Sequence, residues 1–196
     1  MDKARMTELL LQSLEHEKGG VKIYEIALRC AQNEDLKKEW QKYLEQTRRH
    51  VEVLEQVCGT LDIGIDGDKP MGVKIVAMLG ESLVRAMEAG LKAGDLVAAQ
   101  VLAAECVTLA ETKDHMDWEL IGECAKKLTG EQKKILQAAY DEVEDQEDEH
   151  LYHTKGWCRE LWLESLGLKA MLPPPEERKH VKTAIGAARA EQSLKH

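Results

Sequence analysis

Four stretches of this chain, each roughly 25 to 35 residues long, repeat apolar residues at spacings of three and four, with few glycines and no proline inside them. A strand turns its side chains to opposite faces at every residue, so this period cannot settle as a strand and commits the chain to long amphipathic helices. The first stretch runs from about Lys3 to Gln32 with the stripe Met6, Leu10, Ser13, Glu17, Gly20, Tyr24, Ala27, Ala31. The second ends near Cys58 and carries Leu36, Trp40, Tyr43, Thr47, His50, Leu54, Val57. The third, about Asp95 to Leu128, carries Val101, Ala104, Thr108, Glu111, His115, Trp118, Gly122, Ala125, and the fourth, Glu131 to about Ser165, carries Leu136, Ala139, Val143, Glu147, His150, Thr154, Trp157, Leu161.

Connections decide the topology. Asn33-Glu34-Asp35 and Thr129-Gly130 are too short to do anything but fold each pair of helices into an antiparallel hairpin. Between the hairpins, Gly59 to Gly72 reads as a surface loop, followed by a shorter helix over about Val73–Ala93 and a break at Gly94-Asp95. The expectation is an all-α fold: residues 1–168 as an up-and-down four-helix bundle with an extra helix in the connection between its second and third helices. Residues 169–196, opened by Pro173-Pro174-Pro175, form a Pro-bounded tail or short helix of mildly basic character, a candidate docking arm for a protein partner.

Composition removes several classes. A net charge of −9 without a basic stripe on the body speaks against nucleic acid. The longest apolar run is far too short for a membrane span, and the N-terminal residues enter an amphipathic helix without a secretory apolar region. Five scattered cysteines, an odd number, fit neither a disulfide framework nor a cysteine zinc site; they point to a reducing cytoplasm and to small buried apolar roles.

Chemistry enters where polar residues occupy the stripes. Glu17 lies mid-stripe on the first helix, Thr47 and His50 on the second, Glu111 on the third, and Glu147 and His150 on the fourth. With hairpin turns near residues 33–34 and 130–131, Glu17 and His50 fall at one height, as do Glu111 with His150 and Asp114 with Glu147. An unpaired carboxylate in an apolar bundle costs several kcal/mol or takes up a proton, so carboxylates and imidazoles converging at one level ask for a cation. Glu147-x-x-His150 aims two ligands at one point, and mixed oxygen and imidazole donors suit iron, manganese or zinc. The acidic run Asp141–Glu149 that contains Glu147 would ordinarily be a solvated face, yet the inward pair persists under the helical period.

Glu17 followed by Tyr24, the inward His50 and Glu147-x-x-His150 resemble the ligand pattern of the ferritin-like superfamily, which includes bacterioferritin, rubrerythrin and manganese catalase. The stretch Glu45-Gln46-Thr47-Arg48-Arg49-His50-Val51-Glu52 is similar to a bacterial stress-associated branch of it. The resemblance covers about residues 5–165. It implies Glu17 as a terminal ligand, Glu147 as a bridging one, His50 and His150 each on one metal, Glu111 (or Asp114) as the third helix's carboxylate, and Tyr24 as a catalytic hydroxyl beside the site. It further implies one or two iron or manganese ions per chain, ferroxidase or peroxidase chemistry on dioxygen or peroxide, and a stress role. A homodimer is expected on a separate ground, that bundles built of helical hairpins often pair. One position departs from the pattern: Thr47 stands where the family has a bridging Glu, which leaves either a single-metal site or an altered two-metal site in which Glu144 or Asp114 compensates.

The remaining marked residues have plainer readings. His115 and His153 belong at the margin of the site or on the surface, Trp40, Trp118, Trp157 and Trp162 in core or interface packing, and Asp62, Asp66 and Asp68 in turns, lacking calcium-loop spacing. The rival to a redox role is a non-catalytic stress or assembly bundle that binds a protein partner, its polar cluster hydrogen-bonded or holding a structural metal.

Overall fold

A computed structural model describes residues 1–193. Among them are α1 (Lys3–Cys30), α2 (Glu34–Thr60), α3 (Met71–Ala93), α4 (Leu96–Lys127), α5 (Gly130–Ser165), α6 (Pro175–Arg178) and α7 (Ala184–Gln192), with no strand. The fold is all-α. Each long helix begins or ends where local chemistry requires. Asp2 caps α1 by accepting from the amides of Ala4 and Arg5, Asn33 caps α2 through Asp35 and Leu36, and Asp95 caps α4 through Ala98. At the end of α3, Gly94 takes the left-handed conformation (φ 86°) that closes the helix. The first helix stops at Cys30, two residues earlier than the apolar period predicts, because Ala31 turns extended to bring Asn33 into its cap.

Around the bundle the order is α1, α2, α5, α4, each packed against the next and the last against the first. Pairings fix the directions. Tyr24 meets Glu111 while Glu17 meets Trp118, so α1 and α4 run antiparallel; Gln46 meets His150 while His50 meets Gln146, so α2 and α5 do as well. The long connection carries α3 along the outside of the α1–α4 seam, which gives the single crossover expected of a ferritin-like bundle. Small residues mark its closest approach: Gly80 faces Gly19, and a Cβ on Gly80 would lie in ordinary contact, 3.7 Å from the Gly19 backbone. The outer face of α3 leaves Met71, Ile75, Met78 and Leu79 exposed.

The core is divided. One apolar cluster gathers Ile23, Ala27, Leu36, Trp40, Ala103, Val107, Trp157 and Leu161 at one end. A second gathers Met6, Leu10, Leu14, Leu54, Val57, Trp118, Ile121, Leu136 and Val143 at the other. Burying side chains of this size contributes about 1.5–3 kcal/mol each, and nothing of the kind fills the layer between. That layer holds Glu17, Thr47, His50, Glu111, Asp114, Glu147 and His150, all buried.

The tryptophans divide: Trp40, Trp118 and Trp157 are buried, whereas Trp162 is 42% exposed, with its indole N–H donating to Glu105 at 3.1 Å. His115 sits at the rim, as expected, and bonds Asp148 at 2.8 Å; the α4 stripe drawn through it needs correction, because the inward face passes through Asp114. A helix turns 100° per residue, so a stripe spaced by threes and fours leaves neighbouring positions open to either choice.

The C-terminal segment folds back on its own chain. Arg159 of α5 donates to both Glu176 carboxylate oxygens, at 2.7 and 2.9 Å, and Trp157 donates to Glu177. Gly156 makes room for this: a Cβ there would meet the Glu176 carboxylate at 2.5 Å. No helix of the described residues is long and apolar enough to cross a membrane, and Cys30, Cys58, Cys106, Cys124 and Cys158 are free.

Candidate metal centre

Helical spacing delivers the polar layer. Seven residues separate Glu17 from Tyr24, three separate Glu111 from Asp114 and Glu147 from His150, so each pair projects from one helix face onto one or two adjacent turns. Four helices then bring their contributions to a common level. Glu17, His50 and Glu147 place one ligand atom each within 4.8 Å of one another, and so do Glu111, Glu147 and His150. Glu147 belongs to both groups.

Distances within the cluster are short. The Nδ1 atom of His50 lies 2.9 Å from Glu147 Oε1 and 3.4 Å from Glu17 Oε1. The Nδ1 atom of His150 lies 3.4 Å from both Glu111 Oε2 and Glu147 Oε1, and the two imidazoles stack with centroids 5.7 Å apart. Yet Glu17 Oε2, Glu111 Oε2, both Glu147 oxygens and both Nδ1 atoms lack an aligned hydrogen bond. The ligand atoms crowd together without aligned bonds between them. Buried polar groups are otherwise almost always paired, so this geometry fits a cation as their common partner.

Electrostatics argue the same way. Burial, then the charges of Glu17, Glu147 and Glu111, push the Asp114 carboxyl well above the usual carboxylate range, and Asp114 Oδ1 has no partner. Burial also raises Glu17 against the pull of His50. For Glu147 burial acts upward too, but the imidazoles of His150 and His50 outweigh it and hold the carboxylate charged. The His150 imidazole is lifted to about 9: its burial opposes the rise, and Glu111 and Glu147 overcome it. Left to itself, the cluster takes up protons to offset its negative charge. Four buried carboxylates are what two divalent cations would balance, and iron, manganese and zinc all accept this donor set.

The supports around the cluster are aligned. Tyr24, fully buried, donates its hydroxyl to Glu111 Oε1 at 2.7 Å, and burial together with that carboxylate keeps the phenol protonated. The indole of Trp118 donates to Glu17 Oε1 at 2.8 Å. Of the two carboxylates weighed against the threonine at position 47, Asp114 lies in the buried layer and Glu144 is half-buried outside both groups; Asp114 itself is in neither three-residue group. His153 is buried one turn beyond His150, where its Nδ1 meets Glu39 and the Tyr43 hydroxyl, each at 3.0 Å.

Sequence reasoning overlooked Gln46 and Gln146, whose side chains accept from His150 and His50, and gave Trp118 a packing role only. A signal existed: Gln46-Thr47-x-x-His50 and Gln146-Glu147-x-x-His150 place a glutamine one turn before each histidine at the same spacing.

The family model described as Domain of unknown function (DUF892) matches residues 6–112, from α1 into α4. The match holds Glu17, Tyr24, His50 and Glu111, and ends before Asp114, Glu147 and His150. No curated protein and no solved structure matches the chain. Because the matched segment is more than half of the 196 residues and supplies most of α1, all of α2 and the crossover helix, the chain belongs to the DUF892 family.

Proposed function

We propose that this chain is a ferritin-like metal-carboxylate protein that holds two iron or manganese ions and acts in iron oxidation or in the handling of peroxide or dioxygen under stress. The observation that carries the reading is the pair of three-residue groups sharing Glu147, with their ligand atoms buried and lacking aligned hydrogen bonds. In this reading Glu17 and His50 would hold one ion, Glu111 and His150 would hold the other, and Glu147, common to both groups, would serve both. Asp114 supplies the carboxylate charge that Thr47 does not. When bound, such a pair supplies reversible one-electron chemistry toward oxygen species.

The chain's own groups set the conditions for it. Tyr24 and Trp118 each occupy one carboxylate oxygen of Glu111 and Glu17, which fixes how those carboxylates present their other oxygen. The apolar clusters on either side keep bulk water from the layer and strengthen every charge within it.

Elemental analysis after anaerobic iron loading tests the proposal. We expect about two equivalents per chain, and we expect Glu147→Ala with His150→Ala to abolish binding while the far-UV helical signal survives. Wild-type metal content in that double variant would sink the ligand assignment. A second reading, a bundle that binds a protein partner, draws on the exposed stripe Met71, Ile75, Met78 and Leu79 of α3; it predicts either no metal in the loaded wild type or a structural metal without turnover of dioxygen or peroxide.

A further inference from the structure

The two halves of the polar layer share a device that crosses the α2–α5 seam. His50 of α2 places Nε2 3.0 Å from Gln146 Oε1 of α5, and His150 of α5 places Nε2 3.1 Å from Gln46 Oε1 of α2. Each glutamine stands four residues before the histidine of its own helix and serves the histidine of the other. The orientation of Gln146 is fixed from behind, since its amide nitrogen donates to the Glu142 carbonyl at 3.2 Å. An amide oxygen can only accept, so each Nε2 must carry its proton, and the nitrogen left to give one up is Nδ1. On both rings Nδ1 is the atom that faces the carboxylates.

We propose that Gln46 and Gln146 are a reciprocal pair of positioning residues that fix His50 and His150 as Nδ1 ligands, each holding the ring of the opposite helix. This rests on the metal reading above and adds to it a reason for the ring orientation. The same contacts serve before and after loading. The pair also ties α2 to α5 at the level of the cluster, so a change of register between those helices would move both rings at once. Both glutamines are half-buried, between the rings and solvent. Their substitution therefore leaves both apolar clusters intact.

Zinc(II) is a suitable probe because it tests ligation without redox change. Affinity is measured by chelator competition for wild type, Gln46→Met, Gln146→Met, the double variant, and Gln46→Glu with Gln146→Glu. Nitrogen-15 spectra of the histidine rings are recorded with and without zinc. Losing a hydrogen-bond partner of a ligating imidazole typically costs 10- to 100-fold in affinity, so each methionine variant should fall by about that much. The glutamate variant, which keeps an acceptor, should bind at least as tightly as wild type. Wild type should show Nδ1 on zinc and a protonated Nε2 sheltered from solvent exchange, with that shelter lost in the methionine variants even without metal. If wild type binds zinc and the methionine variants bind it equally, or if Nε2 is the coordinated atom, the positioning role is wrong. If wild type binds no zinc, the metal reading itself fails and the role falls with it.

Discussion

Replacing Asp114 by asparagine should stabilise the metal-free protein and weaken the metal-loaded one. Asp114 is 4% exposed, with Oδ1 unpartnered and with Glu17, Glu147 and Glu111 as its charged neighbours. Burial and these charges raise its carboxyl well above the ordinary range. Below an ordinary aspartate pKa of about 3.9 both folded and unfolded chains carry the proton, and no penalty exists. As pH rises from there the unfolded chain releases its proton while Asp114 keeps one, and the penalty grows by about 1.36 kcal/mol per pH unit until the folded carboxyl ionises. At pH 7 the ceiling is about 4 kcal/mol. Asparagine removes it and offers an N–H to the surrounding carboxylates, so we expect a gain of roughly 2–4 kcal/mol at pH 7, or roughly 4–16 °C in Tm for a chain of this length. Near pH 3.5 the gain should vanish. With metal the order reverses, because the carboxylate that burdened the empty cluster becomes a charge partner of the cations. Denaturant titrations of both proteins, chelated and loaded, at pH 3.5 and 7, decide the matter. A metal-free Asp114→Asn protein that is less stable than wild type at pH 7 would refute the reasoning, since Asp114 would then be a satisfied structural residue.

Other outcomes follow from single contacts. Trp118→Phe removes the donor to Glu17 and should cost about 1–2 kcal/mol in metal-free stability while lowering zinc affinity several-fold; unchanged affinity in the chelator competition would leave Trp118 as packing alone. Glu177, in the C-terminal segment where it meets α5, is lifted to about 7 by burial and by Glu39. A raised carboxyl costs nothing at low pH, and its penalty grows from the ordinary glutamate range up to about 7. Protection of the segment from proteolysis should therefore decline across that window, and Glu177→Gln should flatten the decline, a difference of about 1 kcal/mol once solvent screening of this half-buried group is allowed for. Leu54→Ala, in the apolar cluster beyond His50, should lose about 2–5 kcal/mol in urea unfolding without changing metal stoichiometry, which separates the core's role from that of the polar layer.

Much of this molecule is readable from periodicity, and the reason is physical. Long helices with short turns leave one way to bury their stripes, and every residue of the α1, α2 and α5 stripes is buried. Glu17, His50, Glu147 and His150 were visible because a charge in an apolar stripe contradicts its surroundings. Asp114 and His115 were harder, as neighbours on α4 whose facing depends on a rotation that three-and-four spacing does not determine. Gln46 and Gln146 lay in solvated-looking polar runs, and their role exists only across the α2–α5 seam. Size and hydrophobicity left Trp162 open between core and interface, and its neighbourhood places it on the surface with Glu105. The fold of the C-terminal segment onto α5 depends on Arg159 finding Glu176, a pairing that no local pattern announces.

The divided core also bears on how the bundle moves. An ordinary helical bundle frays at its ends and is stiffest at its middle. Here apolar packing lies toward both ends, and the middle is joined by charged groups that resist one another until a cation enters. Metal-free molecules should breathe at the waist, about the α2–α5 seam, the sparsest of the bundle's four, while both ends stay closed. Loading would turn the softest cross-section into the stiffest, adding stability by mass action where the polypeptide alone has least of it. In such a molecule the path by which a small ion enters and the motion that the ion arrests are the same degree of freedom.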